Sequence, residues 1–250
     1  MVGLIGPWLI FVVVEESKAQ VPIRDRGRLG GSCAEYGRSV NGIPLMVWGD
    51  LKPGTCLLIG GVHGEEQNPT VTVSRALRAV PPEMRTANVV VCANPDGHLL
   101  GTRGNANGVD LNRNFPAADW SEATIFHRWD GRREREVALN AGAQAGSEPE
   151  VSALISLVQS LDPLAIVDVH SPLGKIIDLD STPIGEELAT RTGLHRTSPD
   201  SVSITGSAAH FFRELGKGYV NLELPDQSVF TSTEMAVPHL SALIRGEFTQ

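Results

Sequence analysis

Three short stretches of the 250-residue chain place imidazoles and carboxylates where they could act together on a cation. The first is Gly60-Gly61-Val62-His63-Gly64-Glu65-Glu66, a glycine-rich turn after an apolar run. His63 and Glu66 stand three apart, so a flexible turn can bring a nitrogen and an oxygen donor onto one ion, a mixed set that zinc accepts. Taken alone, the same HxxE spacing also describes a solvated loop. The second stretch is Ile166-Val167-Asp168-Val169-His170-Ser171, with His170 at the carboxyl end of an apolar run. It leaves the sheet on the same edge as His63 if the two strands run parallel, whereas a lone strand-end histidine is more often a hydrogen-bonded structural residue. Two histidines and one carboxylate leave zinc an open fourth position, the arrangement of catalytic sites, where water becomes acidic enough to attack a carbonyl. In the third stretch, Val220-Asn221-Leu222-Glu223-Leu224-Pro225, an acid interrupts an apolar strand. Glu223 either faces solvent together with Asn221, on the strand period of two, or serves as the base that takes a proton from the attacking water and passes it to a leaving amine.

A fourth stretch is denser still: Asn94-Pro95-Asp96-Gly97, followed by the block from Arg103 to Pro116. The first four residues are good turn chemistry. Arg103 and Arg113 bracket a polar, turn-forming loop. A guanidinium pairs with a carboxylate through two parallel hydrogen bonds, so one arginine could hold a terminal carboxylate while another faces the charge developing on an attacked carbonyl. Arg132, Arg133 and Arg135, mixed with Glu134 and Glu136, read as solvated charge.

The elements that must position these groups alternate along the chain. Strands are expected at Leu45 to Trp48, Cys56 to Gly60, Asn88 to Cys92, Leu164 to Val169 and Tyr219 to Leu224. Helices are expected at Asn68 to Val80, Glu148 to Leu161, Gly185 to Thr192, Ala208 to Leu215 and Glu234 to Arg245. This pattern makes the class α/β: one domain with a mixed, mostly parallel twisted sheet and helices on both faces. Residues 94 to 146, rich in Gly, Asn, Arg and Asp, read as long irregular connections of the kind that serve a site.

Composition narrows the partners. With 41% hydrophobic residues the chain can bury a substantial core, and one core accounts for its length. Acids outnumber bases 29 to 21, a net charge of −8 that argues against nucleic acid and for a small molecule or peptide. Cys33, Cys56 and Cys92 form no CxxC pattern and so neither a zinc ribbon nor a disulfide framework, which suits a reducing compartment. The apolar run from Val2 to Val14 is shorter than the roughly 20 residues that span a bilayer, so no stable membrane insertion is expected. Its length and Ser17-Lys18-Ala19 suit a signal peptide, but no Lys or Arg precedes it and Glu15 and Glu16 follow. We therefore read residues 1–22 as an N-terminal extension of uncertain role and 23–250 as the catalytic domain.

Taken in order, HGEE, NPDG, GVDLNRNFP, DVHS and LELP resemble the zinc metallocarboxypeptidase family, from about Gly30 to the C-terminal helix. The resemblance implies that fold, one zinc ion per chain held by His63, Glu66 and His170, and Glu223 as general base. It implies that Arg103 polarises the scissile carbonyl and stabilises its oxyanion, that Asn112 and Arg113 grip the free carboxylate of the substrate's last residue, and that Asp110 steadies His63. Tyr36-Gly37-Arg38-Ser39, the unbroken block from Arg103 to Trp120, and Gly146-Ser147-Glu148-Pro149-Glu150 are most similar to members that cut the bond between γ-D-glutamate and meso-diaminopimelate in murein tripeptide. That likeness implies cell-wall peptide recycling in a bacterial cytoplasm, with a periplasmic or exported protein as the alternative if residues 1–19 are a signal peptide.

One position departs from the family pattern: Val202 stands where a tyrosine usually precedes the Gly206-Ser207 pair. The departure bears on substrate gripping more than on hydrolysis. A zinc carboxypeptidase or deacylase for other peptides or N-acyl amino acids is the alternative enzyme. A non-catalytic muropeptide-binding module is the alternative from another class, and the presence of Glu223 with all three metal donors speaks against it. Nothing in these patterns sets an oligomeric state.

Overall fold

The computed structural model describes residues 29–128, 136–197 and 204–248. In chain order the strands are β1 (Cys33–Arg38), β2 (Pro44–Trp48), β3 (Cys56–Gly60), β4 (Asn88–Val90), β5 (Ile125–Arg128), β6 (Glu136–Leu139), β7 (Ala165–His170), β8 (Leu173–Asp178), β9 (His195–Thr197) and β10 (Gly218–Pro225). The helices are α1 (Gln67–Ala79), α2 (Pro95–Leu100), α3 (Pro149–Leu161), α4 (Pro183–Thr192), α5 (Ala208–Glu214) and α6 (Val229–Ile244). Eight strands form one sheet in the order β1-β2-β4-β3-β7-β10-β8-β9, and β5 and β6 pair separately as an antiparallel ribbon. The middle of the sheet, β4-β3-β7-β10, is parallel; β1, β2 and β8 pair with their inner neighbours in the antiparallel sense. These elements belong to one compact unit, residues 31–250. The expected extension over residues 1–22 lies outside the described residues, as do Arg132, Arg133, Glu134, Arg135 and Val202.

Each expected strand and helix is present with its ends shifted by a few residues. Helix α6 begins earlier than its apolar period suggested, because Ser228 caps it by accepting from the Thr231 amide. The Asn94-Pro95-Asp96-Gly97 turn opens α2: Asn94 accepts from the Gly97 amide and Pro95 sits in the first turn. Among the described residues between 94 and 146 the chain is otherwise mostly irregular, carrying a short 3-10 turn at Leu111–Arg113 and the β5-β6 ribbon.

Period-two alternation sorts the central strands between two cores. Leu57, Ile59, Ile166 and Tyr219 pack with Leu154 and Val158 of α3, Phe212 of α5 and Phe115. Leu58, Val167, Val220 and Leu222, of opposite parity and fully buried, face the side covered by α1 and α6. On the first face the register aligns Ile166 with Tyr219, then Asp168 with Asn221, then His170 with Glu223. The inward ladder thus passes from apolar to polar to ionisable as β7 and β10 approach their carboxyl ends, the edge where open α/β sheets place ligands.

The loops at that edge touch backbone to backbone. A Cβ on Gly64 would lie 2.0 Å from the carbonyl carbon of Gly97, and one on Gly97 would lie 2.4 Å from the carbonyl oxygen of Gly104. The Gly64 amide also donates to the Arg103 carbonyl at 3.3 Å. Glycine at these positions is required by close approach of three loops. Gly64→Ala should therefore part the His63 and Arg103 loops and cost about 1–3 kcal/mol in a urea denaturation measurement, as overpacking of a filled site does.

Candidate metal centre and active site

The site forms where β3 and β7 end side by side. Gly60 aligns with Val169, so the turn that follows β3 and the last residue of β7 meet over the same edge. Glu66 is the residue before α1, and its side chain makes no helix-capping bond but turns to the histidines. His63 Nδ1 is 2.8 Å from Glu66 Oε1 and 3.1 Å from His170 Nδ1, and His170 Nδ1 is 3.3 Å from Glu66 Oε2. All three side chains are buried. Ser171 adds its amide to Glu66 Oε2 at 3.0 Å.

Each imidazole backs onto a further acid. His63 Nε2 lies 3.1 Å from Asp110 Oδ1, and His170 Nε2 lies 3.0 Å from Asp168 Oδ2, the latter pair placed for charge attraction more than for an aligned hydrogen bond. Burial and Arg103 oppose a charge on His63, yet Glu66 and Asp110 outweigh them and raise its pKa. Burial opposes a charge on His170 too, but Asp168 and Glu66 hold it well above the ordinary imidazole value. Burial alone would raise the Glu66 carboxyl; the two imidazoles hold it well below the usual range. The cluster calls for positive charge at its centre. Two Nδ1 atoms facing each other beside a carboxylate repel unless a proton or a cation lies between them. With a hydrogen on each Nε2, beside Asp110 and Asp168, both Nδ1 lone pairs are left to hold a cation, and the resulting two-nitrogen, one-oxygen set is one that catalytic zinc takes. The residues fit the ion.

Glu223 lies opposite His170 in the parallel pairing of β10 with β7. It is 6% exposed and Asn221 8%, so the solvent-facing alternative for this pair does not hold. The Leu173 amide and Asn221 Nδ2 both donate to it at 3.4 Å. Burial and the neighbouring Glu66 push the Glu223 carboxyl up, against the pull of His170, the Leu173 amide and His63. A carboxylate with a raised pKa is a better proton acceptor at working pH.

Arg103 arrives from the next loop. Its Nε donates to Asp110 Oδ2 at 2.8 Å, and its Nη1 lies 3.2 Å from Glu66 Oε1 and 3.3 Å from Glu65 Oε1. Its Nη2 has no hydrogen-bond partner among the described residues. Asp110 also accepts from the Asn112 amide at 3.0 Å, capping the 3-10 turn, and lies 4.0 Å from Arg113 Nη1. Asn112 Oδ1 accepts from the Ala208 amide at 2.9 Å, which fixes the orientation of its side-chain amide. Arg113 Nη1 donates to the Asn112 carbonyl at 2.8 Å. Burial and the nearby Arg103 lower the Arg113 pKa, with Asp110 opposing them. Seven of the eight residues singled out from sequence are thus joined by direct contacts, Asp110 linking His63 and Glu66 with both arginines, and Glu223 stands beside them as the strand neighbour of His170.

A sequence profile described as zinc carboxypeptidase matches residues 83–217. Murein peptide amidase A of Escherichia coli K12 is 38% identical over 228 residues, 90% of this chain and 94% of the relative, and that of Vibrio campbellii is 33% identical over 90% of each. The chain belongs to the zinc carboxypeptidase family. The crystal structure of murein-tripeptide amidase from Escherichia coli O157 superimposes with a TM-score of 0.82 at 37% identity, covering 90% of this chain and 96% of that one.

Three residues of this zinc carboxypeptidase site were not singled out from sequence. Asp168 precedes His170 by two, hence on the same strand face, and that spacing was the available signal. Tyr219 donates its hydroxyl to Asp168 Oδ2 at 2.7 Å. Glu65 carried no signal beyond adjacency to Glu66. Asp110→Asn should cost about 3–5 kcal/mol in chemical denaturation, because it removes the carboxylate shared by buried cations. A loss within 1 kcal/mol would show that Asp110 is not their anchor.

Proposed function

We propose that this zinc carboxypeptidase hydrolyses the amide bond between γ-D-glutamate and meso-diaminopimelate in murein tripeptide, with one zinc ion per chain on His63, Glu66 and His170. The reading is carried by a complete donor group with Glu223 in register beside it, in a chain 38% identical across 90% of its length to murein peptide amidase A. Zinc bound there acidifies water and polarises a carbonyl. Glu223 takes the proton of the attacking water and delivers it to the departing amine of diaminopimelate. Arg103, held from behind by Asp110, faces the oxygen that gains negative charge as the carbonyl carbon becomes tetrahedral. Asn112 and Arg113 bind the free carboxylate of the diaminopimelate half and so set which amide lies at the site. A cavity of about 310 Å³ beside Arg103, lined in part by Glu65, Leu100, Thr102, Ala106 and Leu139, offers space for the acyl half of a short peptide.

We place this reaction in cell-wall peptide recycling in the cytoplasm, a reading supported by Cys33, Cys56 and Cys92 being free thiols. Mass spectrometry of the mature N-terminus tests the compartment: an intact residue 1–19 segment supports it, and cleavage there assigns the protein to export.

Metal analysis of the purified protein should return one zinc per chain, and a chelator should abolish release of diaminopimelate from murein tripeptide until zinc is restored. Faster release of an ordinary C-terminal amino acid from a standard peptide would overturn the substrate. Glu223→Gln should keep its zinc and lose turnover. Arg103→Ala should lower kcat by about 10²–10³, the equivalent of roughly 2.7–4 kcal/mol for one oxyanion donor. An unchanged rate in either variant removes that residue from the mechanism.

A further inference from the structure

Asp168 is a buried acid that the proposed reaction does not use. Its side chain is 1% exposed and lies on β7, two residues before His170 and on the same face. Its Oδ2 sits 3.0 Å from His170 Nε2 and accepts the Tyr219 hydroxyl at 2.7 Å, while Oδ1 has no hydrogen-bond partner among the described residues. A carboxylate in that position is costly unless its neighbours carry hydrogen or positive charge toward it. The imidazole and the phenol are the groups that do so.

Tyr219 is fixed in turn by packing. It is 2% exposed, its ring stacks on Phe212 with centroids 5.9 Å apart, and Phe212 packs against Phe115 and Phe211. The hydroxyl therefore projects from the apolar core directly onto the acid, and it is committed there. Tyr219 does not stand in for the hydroxyl that Val202 lacks.

The consequence concerns the orientation of one ring. Asp168 Oδ2, close to His170 Nε2 though not aligned for a hydrogen bond, favours a hydrogen on that nitrogen by charge attraction, which leaves the Nδ1 lone pair on the opposite side of the ring, the side of His63 and Glu66. Asp110 does the same for His63 from a loop. On the zinc reading above, we propose that Asp168, anchored by Tyr219, is a positioning residue for the metal ligand His170, so that each histidine ligand has its own carboxylate: one from the Asp110 loop, one from within the strand.

The test is zinc affinity by chelator competition in Asp168→Asn, Asp168→Ala and Tyr219→Phe, with the fold of each metal-free variant followed by circular dichroism and thermal melting. The Asp168 variants should fold, bind zinc about 10- to 100-fold more weakly and release it faster to chelator, as loss of a ligand's carboxylate partner does. At saturating zinc, KM should stay near wild type. Tyr219→Phe keeps the ring and the acid and should lose several-fold in zinc affinity. If the Asp168 variants do not fold, Tyr219→Phe decides: weaker zinc binding supports the chain of contacts, and unchanged binding overturns it. Folded Asp168 variants with wild-type zinc affinity overturn the proposal, as does a fall in melting temperature with no change in affinity, the mark of a purely structural acid. Failure of the wild-type protein to bind zinc would instead remove the metal reading on which the proposal rests.

Discussion

The buried carboxylate of Asp110 is the constraint on which the cleft depends. It is wholly shielded from solvent, so hydration cannot offset its charge, and donors on several sides must do so. One oxygen serves the imidazole of His63 and the Asn112 amide; the other serves the guanidinium of Arg103 with Arg113 nearby. The group that orients His63 is therefore the group that holds Arg103 and the start of the Asn112–Arg113 turn. His63 passes the constraint to Glu66, and Glu66 to His170 and the Ser171 amide. Because these contacts sit in a low-dielectric interior, each is strong when made and expensive when broken, and the cluster behaves as one unit.

The sheet supplies the ruler for that unit. Parallel pairing of β7 with β3 on one side and β10 on the other brings three strand ends to one edge without any long-range adjustment. The inward faces of β7 and β10 carry Ile166 and Tyr219 first, then Asp168 and Asn221, then His170 and Glu223. The apolar rungs anchor the ladder in the aromatic core, and the polar rungs are held above it at the spacing of every second residue. Ionisable groups are thus placed by a rigid element, and the loops need only meet them. Gly64, Gly97 and Gly104 let the loops do so at backbone contact distance.

What was legible in the sequence follows from the same geometry. His63, Glu66 and His170 could be joined because strand ends and short turns transmit position with few degrees of freedom. Glu223 was ambiguous because a period of two distinguishes two faces but cannot say which is covered. β10 lies inside the sheet between β7 and β8, with α5 against it, and that topology, not the strand's own letters, buries Glu223. β1 and β9 escaped notice because edge strands pair on one side and tolerate polar, half-exposed residues such as those of Cys33–Arg38. Asp168 was read as part of a strand rather than as a partner, although its spacing from His170 held the information.

Much of the lettering that looks most particular to one substrate is scaffold. Asn105, two residues beyond Arg103, donates from its side chain to Glu148 at 2.7 Å and to Glu150 at 3.0 Å. Glu150 also accepts the Val40 amide, and Ser39 and the Asn41 amide both bind Asp96 at the start of α2. Residues from the Tyr36 to Ser39, Asn94 to Gly97, Arg103 to Pro116 and Gly146 to Glu150 stretches are therefore tied into one buried network behind the Arg103 loop. Burial raises the pKa of Glu150, with the Asn105 side chain and the Val40 amide opposing the shift. Such a network fixes where Arg103 begins rather than what the substrate is. Shared lettering in these stretches thus speaks for a shared way of holding Arg103. In the proposed reaction, selectivity for diaminopimelate has to come from groups that face its side chain, beyond Asn112 and Arg113, since a terminal carboxylate is common to every peptide a carboxypeptidase meets.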